Sequence, residues 1–504
     1  MNLENQSREL PKSWVVVKLG DFVVSEKGKK PKSESNIENS THLLPYVDIQ
    51  AFEEGVIKSW TDGVGCRLCF ESDFLMVWDG SRSGLVGKGV NGALGSTLVR
   101  INFPSMVNDY AFYFLQSKYQ QINTRAKGSG TPHVDPDLIW NYQFPIPPIN
   151  EQHRIVAKIE ALFSELDKGI ESFKTAREQL KIYRQALLKH AFSGKLTEQW
   201  RAENASKLES TEALLQRIQT ERQQRYQQQL KDWEANGRPG SKPKAPKTLP
   251  TLTTEELAEL PGLPEDWIYV RAEEISDFIT KGTTPSKELL FEGDGEIPFI
   301  KVYNLTKTGF LDFSIDPTFV NRQTHNGFLA RSKVYPSDVL MNIVGPPLGK
   351  VSIVPDSYPE WNINQAIAIF RTELVSIKFL AAYLSFEDTV RAMMKKSKAT
   401  AGQFNLTLEI CRETPIPFCG KLEQIEIEYL VDTKISGIDQ LDQTITTALQ
   451  QAEALRQSIL KKAFSGQLVP QDPNDEPASV LLERIRAEKA QANIQPTRRR
   501  VKTA

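Results

Sequence analysis

Gly345-Pro346-Pro347-Leu348 is the nearest this 504-residue chain comes to an amino-methyltransferase motif. That chemistry needs an Asn or Asp, two prolines and an aromatic residue, because a base drawn out of its stack must be hydrogen-bonded at its amine and stacked on a ring. Both the polar first residue and the aromatic last one are missing, so methylation is not expected. Gly345, Gly349, Lys350 and Val351 resemble a phosphate-cradling loop only loosely: the spacing is short and no hydroxyl follows the lysine to hold magnesium. ATP hydrolysis is not expected either. Cys66-Arg67-Leu68-Cys69 has metal-like spacing, but no second close Cys or His pair completes four ligands, so free thiols and no bound metal are expected. Five scattered histidines form no H-E-x-x-H site, and no G-x-S-x-G elbow occurs. These residues describe a binder.

The elements that would position binding residues come in duplicate. Leu187-Leu188-Lys189-His190-Ala191-Phe192-Ser193-Gly194-Lys195-Leu196 returns as Ile459-Leu460-Lys461-Lys462-Ala463-Phe464-Ser465-Gly466-Gln467-Leu468, a shift of 272 residues. Solenoid repeats run to roughly 20–50 residues, so this is a duplicated half-molecule. Upstream, Pro145-Ile146-Pro147-Pro148 with Glu151-Gln152 answers Pro415-Ile416-Pro417-Phe418 with Glu423-Gln424. Leu10-Pro11-Lys12-Ser13-Trp14 answers Leu263-Pro264-Glu265-Asp266-Trp267, and Gly28-Lys29-Lys30-Pro31 answers Gly282-Thr283-Thr284-Pro285. Downstream, Leu214-Leu215-Gln216-Arg217-Ile218 answers Leu481-Leu482-Glu483-Arg484-Ile485, while between the anchors the halves agree loosely, as in Asp73-Phe74-Leu75-Met76 against Asp338-Val339-Leu340-Met341.

Composition bounds the reading. Hydrophobic residues at 40% support real cores. No run of 18 apolar residues and no basic-then-apolar start is present, so neither membrane span nor export signal is expected and the cytoplasm is the default. Four cysteines fit a reducing compartment. A net charge of -1 means that any nucleic-acid contact must come from locally sorted cations or be shared with a partner.

Residues 11 to 145 and 264 to 415 mix short alternating apolar runs with glycines, reading as strands and turns followed by helix near Tyr110 to Tyr119 and near Ile377 to Lys396. Polar, periodic segments follow each. Ile159, Leu162, Leu166, Gly169, Phe173, Ala176, Leu180, Tyr183 and Leu187 step by three and four, as do Ile438, Leu441, Ile445, Ala448, Ala452, Leu455 and Ile459. From Leu166 onward the two seams share the 272-residue register. Antiparallel pairing sets Phe173 against Ala452 and Gly169 against Leu455, large against small, whereas parallel pairing leaves uneven layers. The proline-rich entries should stop each globule and launch a helix, and Gly194 and Gly466 should end it.

The expected fold class is therefore α+β: two mixed α/β globules separated by an antiparallel coiled coil of two long helices, in a pseudo-two-fold internal repeat. The expected divisions are 1–149 and 263–419 for the globules, and 150–196 and 420–468 for the long helices. Residues 197–262 hold a thin-striped docking helix and the basic linker Arg238-Pro239-Gly240-Ser241-Lys242-Pro243-Lys244-Ala245-Pro246-Lys247. Residues 469–504 hold a second docking helix and the tail Arg498-Arg499-Arg500-Val501-Lys502.

This order of globule, Pro-rich entry with Glu-Gln, long helix ending in Ala-Phe-Ser-Gly-Lys/Gln-Leu, then the same again, resembles the specificity subunit of Type I restriction-modification enzymes. The resemblance spans nearly the whole chain. It implies a non-catalytic protein whose two target-recognition domains each read half of a split, asymmetric double-stranded DNA target. It also implies that the helices set the gap and bind two modification subunits, with restriction subunits joining them. S-adenosylmethionine, ATP and Mg would sit on those partners, and this chain would bind no cofactor. The alternative is a non-catalytic coiled-coil adaptor whose globules bind proteins.

Gly-rich loops bearing Arg, Lys, Gln, Asn or Thr can reach base edges or phosphates. The DNA-binding candidates in the first globule are Lys29, Lys30, Arg82, Arg125, Lys127 and Thr131. In the second they are Lys281, Thr283, Thr284, Lys350, Lys395, Lys396, Lys398, Gln403 and Asn405.

Overall fold

The computed structural model describes residues 10–128, 130–238, 241–246, 249–306, 309–397 and 405–494. Of the sequence candidates, Lys398 and Gln403, and with them the Arg498 to Lys502 tail, lie outside the described residues. The chain divides into two compact units, Met1–Lys174 with Ile445–Ala504, and Thr175–Thr444.

The same globule is built in each unit. In the first, a four-stranded antiparallel sheet runs in the order Val24–Lys27, Leu98–Asn102, Phe74–Val77, Val86–Lys88. Beside it lies a five-stranded sheet in which Leu44–Val47 runs parallel to Gly92–Leu94. In the second unit the four strands are Phe278–Lys281, Ile367–Arg371, Val339–Asn342 and Val351–Ile353, and the parallel pair is Ile297–Ile300 with Trp361–Ile363. The loosely matched runs after Asp73 and Asp338 are thus the same inner strand of the same sheet, buried along its length in both copies. Helix Asn108–Thr124 covers the first sheet; in the second, the expected single helix is two, Ile377–Ser385 and Glu387–Lys396, broken at Phe386.

The proline-rich entries do more than punctuate. Gln143–Ile146 pairs with Val15–Lys18, and Pro415–Phe418 pairs with Ile268–Arg271, each as an isolated two-stranded ribbon. Proline is tolerated there because such a strand has a free edge. Helices Ile149–Phe192 and Lys421–Ala463 start directly after them.

Within each unit the two long helices run antiparallel. Arg177 pairs with Asp442 (2.9 Å) and Arg184 with Asp439 in one unit; in the other, Arg456 pairs with Asp167 and stacks on Phe163. Ile438, Ile445, Ala452 and Ile459, seven apart, are buried. Phe173, Tyr183, Leu441 and Leu455 were expected in the seam but are exposed. A two-helix contact covers one narrow stripe per helix, so the alternate apolar positions fall on its flank.

Both helices end on glycines in the left-handed region, Gly194 (φ 71°) and Gly466 (φ 72°). A β-carbon on Gly466 would also lie 2.5 Å from Pro11 Cγ, so backbone strain and a clash act together. Gly466→Ala is expected to destabilise the first unit by about 2–3 kcal/mol. A lowered urea midpoint checks this, and an unchanged one contradicts it.

The repeated Glu-Gln pair holds the construction together. Trp14 Nε1 donates to Glu151 Oε2 (3.0 Å) and Trp267 Nε1 to Glu423 Oε2 (2.9 Å). Gln152 accepts from the Val107 amide and donates to the Pro147 carbonyl, while Gln424 does the same with Ser376 and Cys419. The Ala-Phe-Ser-Gly segment of the first long helix packs on the second globule, where Phe192 meets Phe379, Tyr383 and Phe386. Phe464 meets Tyr110 and Phe114 of the first. The thin-striped helices dock alongside, Thr211–Ala235 through Leu214 and Ile218 and Ala478–Ile494 through Leu481, Leu482 and Ile485.

Candidate nucleic-acid interface

Strand register decides which loops meet. In the first globule Lys27 lies opposite Val99 and Val77 opposite Leu98, so the loops leaving Lys27 and Val77 emerge together at the end where Leu98–Asn102 begins. Lys29 and Lys30 are exposed on the first of these loops and Arg82 on the second. The Lys29 amide donates to the Leu94 carbonyl (3.2 Å), which pins its loop to the parallel strand. Arg125 and Thr131 are exposed on the segment that follows the helix. That segment joins the cluster because Gly80 N donates to Pro132 O (2.7 Å), and Lys127 and His133 exchange backbone hydrogen bonds.

Charge at this end is mixed. Lys27 is held by Asp79 (2.7 Å) and Lys127 by Asp135 (2.8 Å). Hydrogen bonding to Asp135 raises the Lys127 ammonium above its usual range, and the same bond lowers the Asp135 carboxyl. Lys127 is therefore already partnered. Lys29 and Lys30 form no ion pair among the described residues.

The second globule repeats the geometry with different side chains. Lys281 lies opposite Ala368 and Asn342 opposite Ile367, so the loops at 282–286 and 343–350 share one sheet end with Asn364 and Gln365. Asn405 arrives there through a bridge to Val344. Thr283 Oγ1 accepts from Arg331 Nε and Nη2 (3.1 and 2.9 Å), and Thr284 Oγ1 accepts from the Gln365 amide (3.2 Å). Lys350 is half-buried, its amide held by Asn342 Oδ1 (2.7 Å). Lys395 and Lys396 end helix Glu387–Lys396, where Lys396 Nζ is 4.0 Å from Glu256, which also binds Arg271.

Sequence reasoning missed Arg331 and Glu53. Arg331 sits in the single helical turn Ala330–Ser332 and reaches Thr283 only because Lys333–Val334 pairs with Trp361–Ile363. Glu53 lies on the short helix Ile49–Glu54 and pairs with Arg82. No nearby residue signals either contact. Cys66 and Cys69 diverge, one facing Thr61 (3.9 Å) and the other the Gly92 carbonyl (3.6 Å). Among the described residues no cluster of three or more His, Cys, Asp or Glu is placed to hold a metal.

Residues 11–172 and 264–454 match the family model described as Type I restriction modification DNA specificity domain. The chain belongs to this family. Similar members include the EcoDI specificity subunit of Escherichia coli, 24% identical over 96% of this chain and 96% of that one. The EcoKI specificity subunit of Escherichia coli strain K12 is 23% identical over 96% of this chain and 97% of its own. The MjaVIII specificity subunit of Methanocaldococcus jannaschii is 30% identical over 39% of this chain and 49% of that relative. A solved chain from work on complex assembly and conformational transition of the type I R-M system shares the fold, with a TM-score of 0.62 at 19% identity over 92% of this chain and 100% of that one. The protein is thus a Type I specificity subunit with two specificity domains, a DNA-recognition component and not the catalyst. That reading prevails over the adaptor alternative.

Proposed function

We propose that this specificity subunit reads an asymmetric, two-part DNA target with the loops gathered at one sheet end of each globule. The observation that carries this is convergence. Lys29, Lys30, Arg82, Arg125 and Thr131 are far apart in sequence and meet in one unit; Lys281, Thr283, Thr284, Lys350 and Asn405 meet at the equivalent end of the other. Equivalent scaffolds carrying different donors imply different half-sites.

Residues 1–149 and 263–419 then act as the target-recognition domains and 150–196 and 420–468 as the spacer helices. Two modification subunits, carrying S-adenosylmethionine, are expected to seat on the helices, with ATP and Mg on restriction subunits and no cofactor on this chain. The exposed apolar flank supports this: Phe173 and Leu455 in one unit, and Ile182, Tyr183 and Leu441 in the other, are uncovered. Among the described residues no helix is long and apolar enough to cross a membrane, and the cytoplasm, where DNA is reached, is the proposed location.

Methylation-aware sequencing of the host genome, with and without this gene, tests the reading. One motif of two unlike half-sites around an unread spacer should vanish on deletion. A deletion that leaves every methylated motif in place contradicts it.

A further inference from the structure

We infer that Arg82 reads a guanine in the half-site of the first globule, and that Glu53 is the positioning residue that aims it. This rests on the proposed function above and names a determinant within it. Arg82 and Glu53 border an open recess of about 570 Å³ at the sheet end where the candidate loops gather, shared with Asp48, Glu54, Ser81 and Thr97. The two partners differ sharply in burial. The Arg82 side chain is 59% exposed, whereas that of Glu53 is 12% exposed. The exposed end of the pair is the arginine, and the carboxylate is its buried anchor.

The bond to Glu53 uses Arg82 Nη1 and Glu53 Oε2, which leaves Nε and Nη2 of the guanidinium as a fork with no other partner among the described residues. Such a fork matches the O6 and N7 acceptors of guanine in the major groove. Phosphate fits the recess poorly. Asp48, Glu53 and Glu54 line it, and among the described residues Glu53 Oε1 is buried without a hydrogen-bond partner. A phosphate placed there would meet several carboxylates, while a base edge brings no net charge. The second globule cannot repeat the contact, because counting from the matched inner strands, Phe74–Val77 and Val339–Asn342, Pro347 stands where Arg82 does. Guanine reading at this position belongs to one half-site only.

The test uses the complete methyltransferase, assembled from this chain and its modification subunits, in selections from a random duplex library at fixed salt. Arg82→Lys keeps the charge and removes the fork; Glu53→Gln keeps the shape and removes the charge that aims it. Each variant should relax one G·C position in one half-site, lowering discrimination there by about 5- to 150-fold and leaving the other half-site intact. Restored discrimination is not expected from Arg82→Gln, which serves as a second variant should Arg82→Lys fold poorly. The inference is overturned if Arg82→Lys returns the wild-type motif, if it weakens all sequences equally as a phosphate contact would, or if neither wild-type half-site contains a G·C pair. A wild-type complex that enriches no two-part sequence sinks the proposed function itself, a distinguishable result.

Discussion

Glu423→Ala is expected to destabilise the second unit by about 3–5 kcal/mol, the range for removing one partner of a buried ion pair. Glu423 Oε1 accepts from Arg201 Nη1 and Thr197 Oγ1, both at 2.6 Å, while Oε2 takes the Trp267 indole. All four side chains are largely enclosed, so the substitution leaves a cation, a hydroxyl and an indole N–H without their acceptor. Denaturant unfolding followed by far-ultraviolet circular dichroism measures it. A midpoint change worth less than about 1 kcal/mol would show that Arg201 finds other compensation.

The equivalent Glu151 should behave differently. Its partners, Trp14 and Gln471, are neutral, and Arg154 turns to Asp475 (2.6 Å). Burial raises the Glu151 carboxyl above its ordinary value, with the hydrogen bonds from Trp14 and Gln471 opposing. A carboxyl raised on folding favours its protonated form, so its contribution is greatest below the unfolded value and is lost as pH rises through the folded one. Glu151→Gln, which mimics the protonated form, should therefore hold its stability better than wild type as pH climbs from about 4.5 toward neutrality. Melting curves across that window decide, and parallel pH profiles would refute the assignment.

Phe192→Ala is the second large effect, at about 3–5 kcal/mol for deleting a fully packed aromatic ring. Phe192 is 4% exposed and sits edge-on to Phe379 (5.3 Å) and Tyr383 (5.0 Å), with Phe386 at 6.0 Å. The ring is the clamp between the end of the first long helix and the second globule. Its loss should speed amide hydrogen exchange over residues 187–196 more than over strand Val339–Asn342. Uniform change across both segments would show that the ring supports the whole core and not this junction.

Much of the architecture was legible because a duplication is its own control. Seams offset by the same 272 residues imply paired helices, and their antiparallel direction follows the sequence reading although Phe173, expected to layer with Ala452, lies exposed outside the seam. The ion pairs of Arg177 and Arg184 with Asp442 and Asp439 agree with that direction. What was not legible depends on partners remote in sequence. Pro145 and Pro415 looked like punctuation because their strand partners, Val16 and Arg271, lie more than a hundred residues away. The partner of Lys396 at the helix end was hidden because nothing local announces Glu256. Arg331 passed unnoticed because strand pairing, not composition, brings it to Thr283.

By itself the sequence determined the doubled plan, the absence of the known methyltransferase and ATPase motifs, and the helix stops at Gly194 and Gly466. Those are properties of order, spacing and backbone freedom, which a chain carries before it folds. Tertiary structure alone decided that the Trp, Glu-Gln and Ala-Phe-Ser-Gly signatures are one junction, and that Arg82 stands on Glu53. The physical reason is that buried hydrogen bonds and ring contacts are satisfied in space, where residues such as Thr197, Trp267 and Glu423 become neighbours irrespective of their separation along the chain.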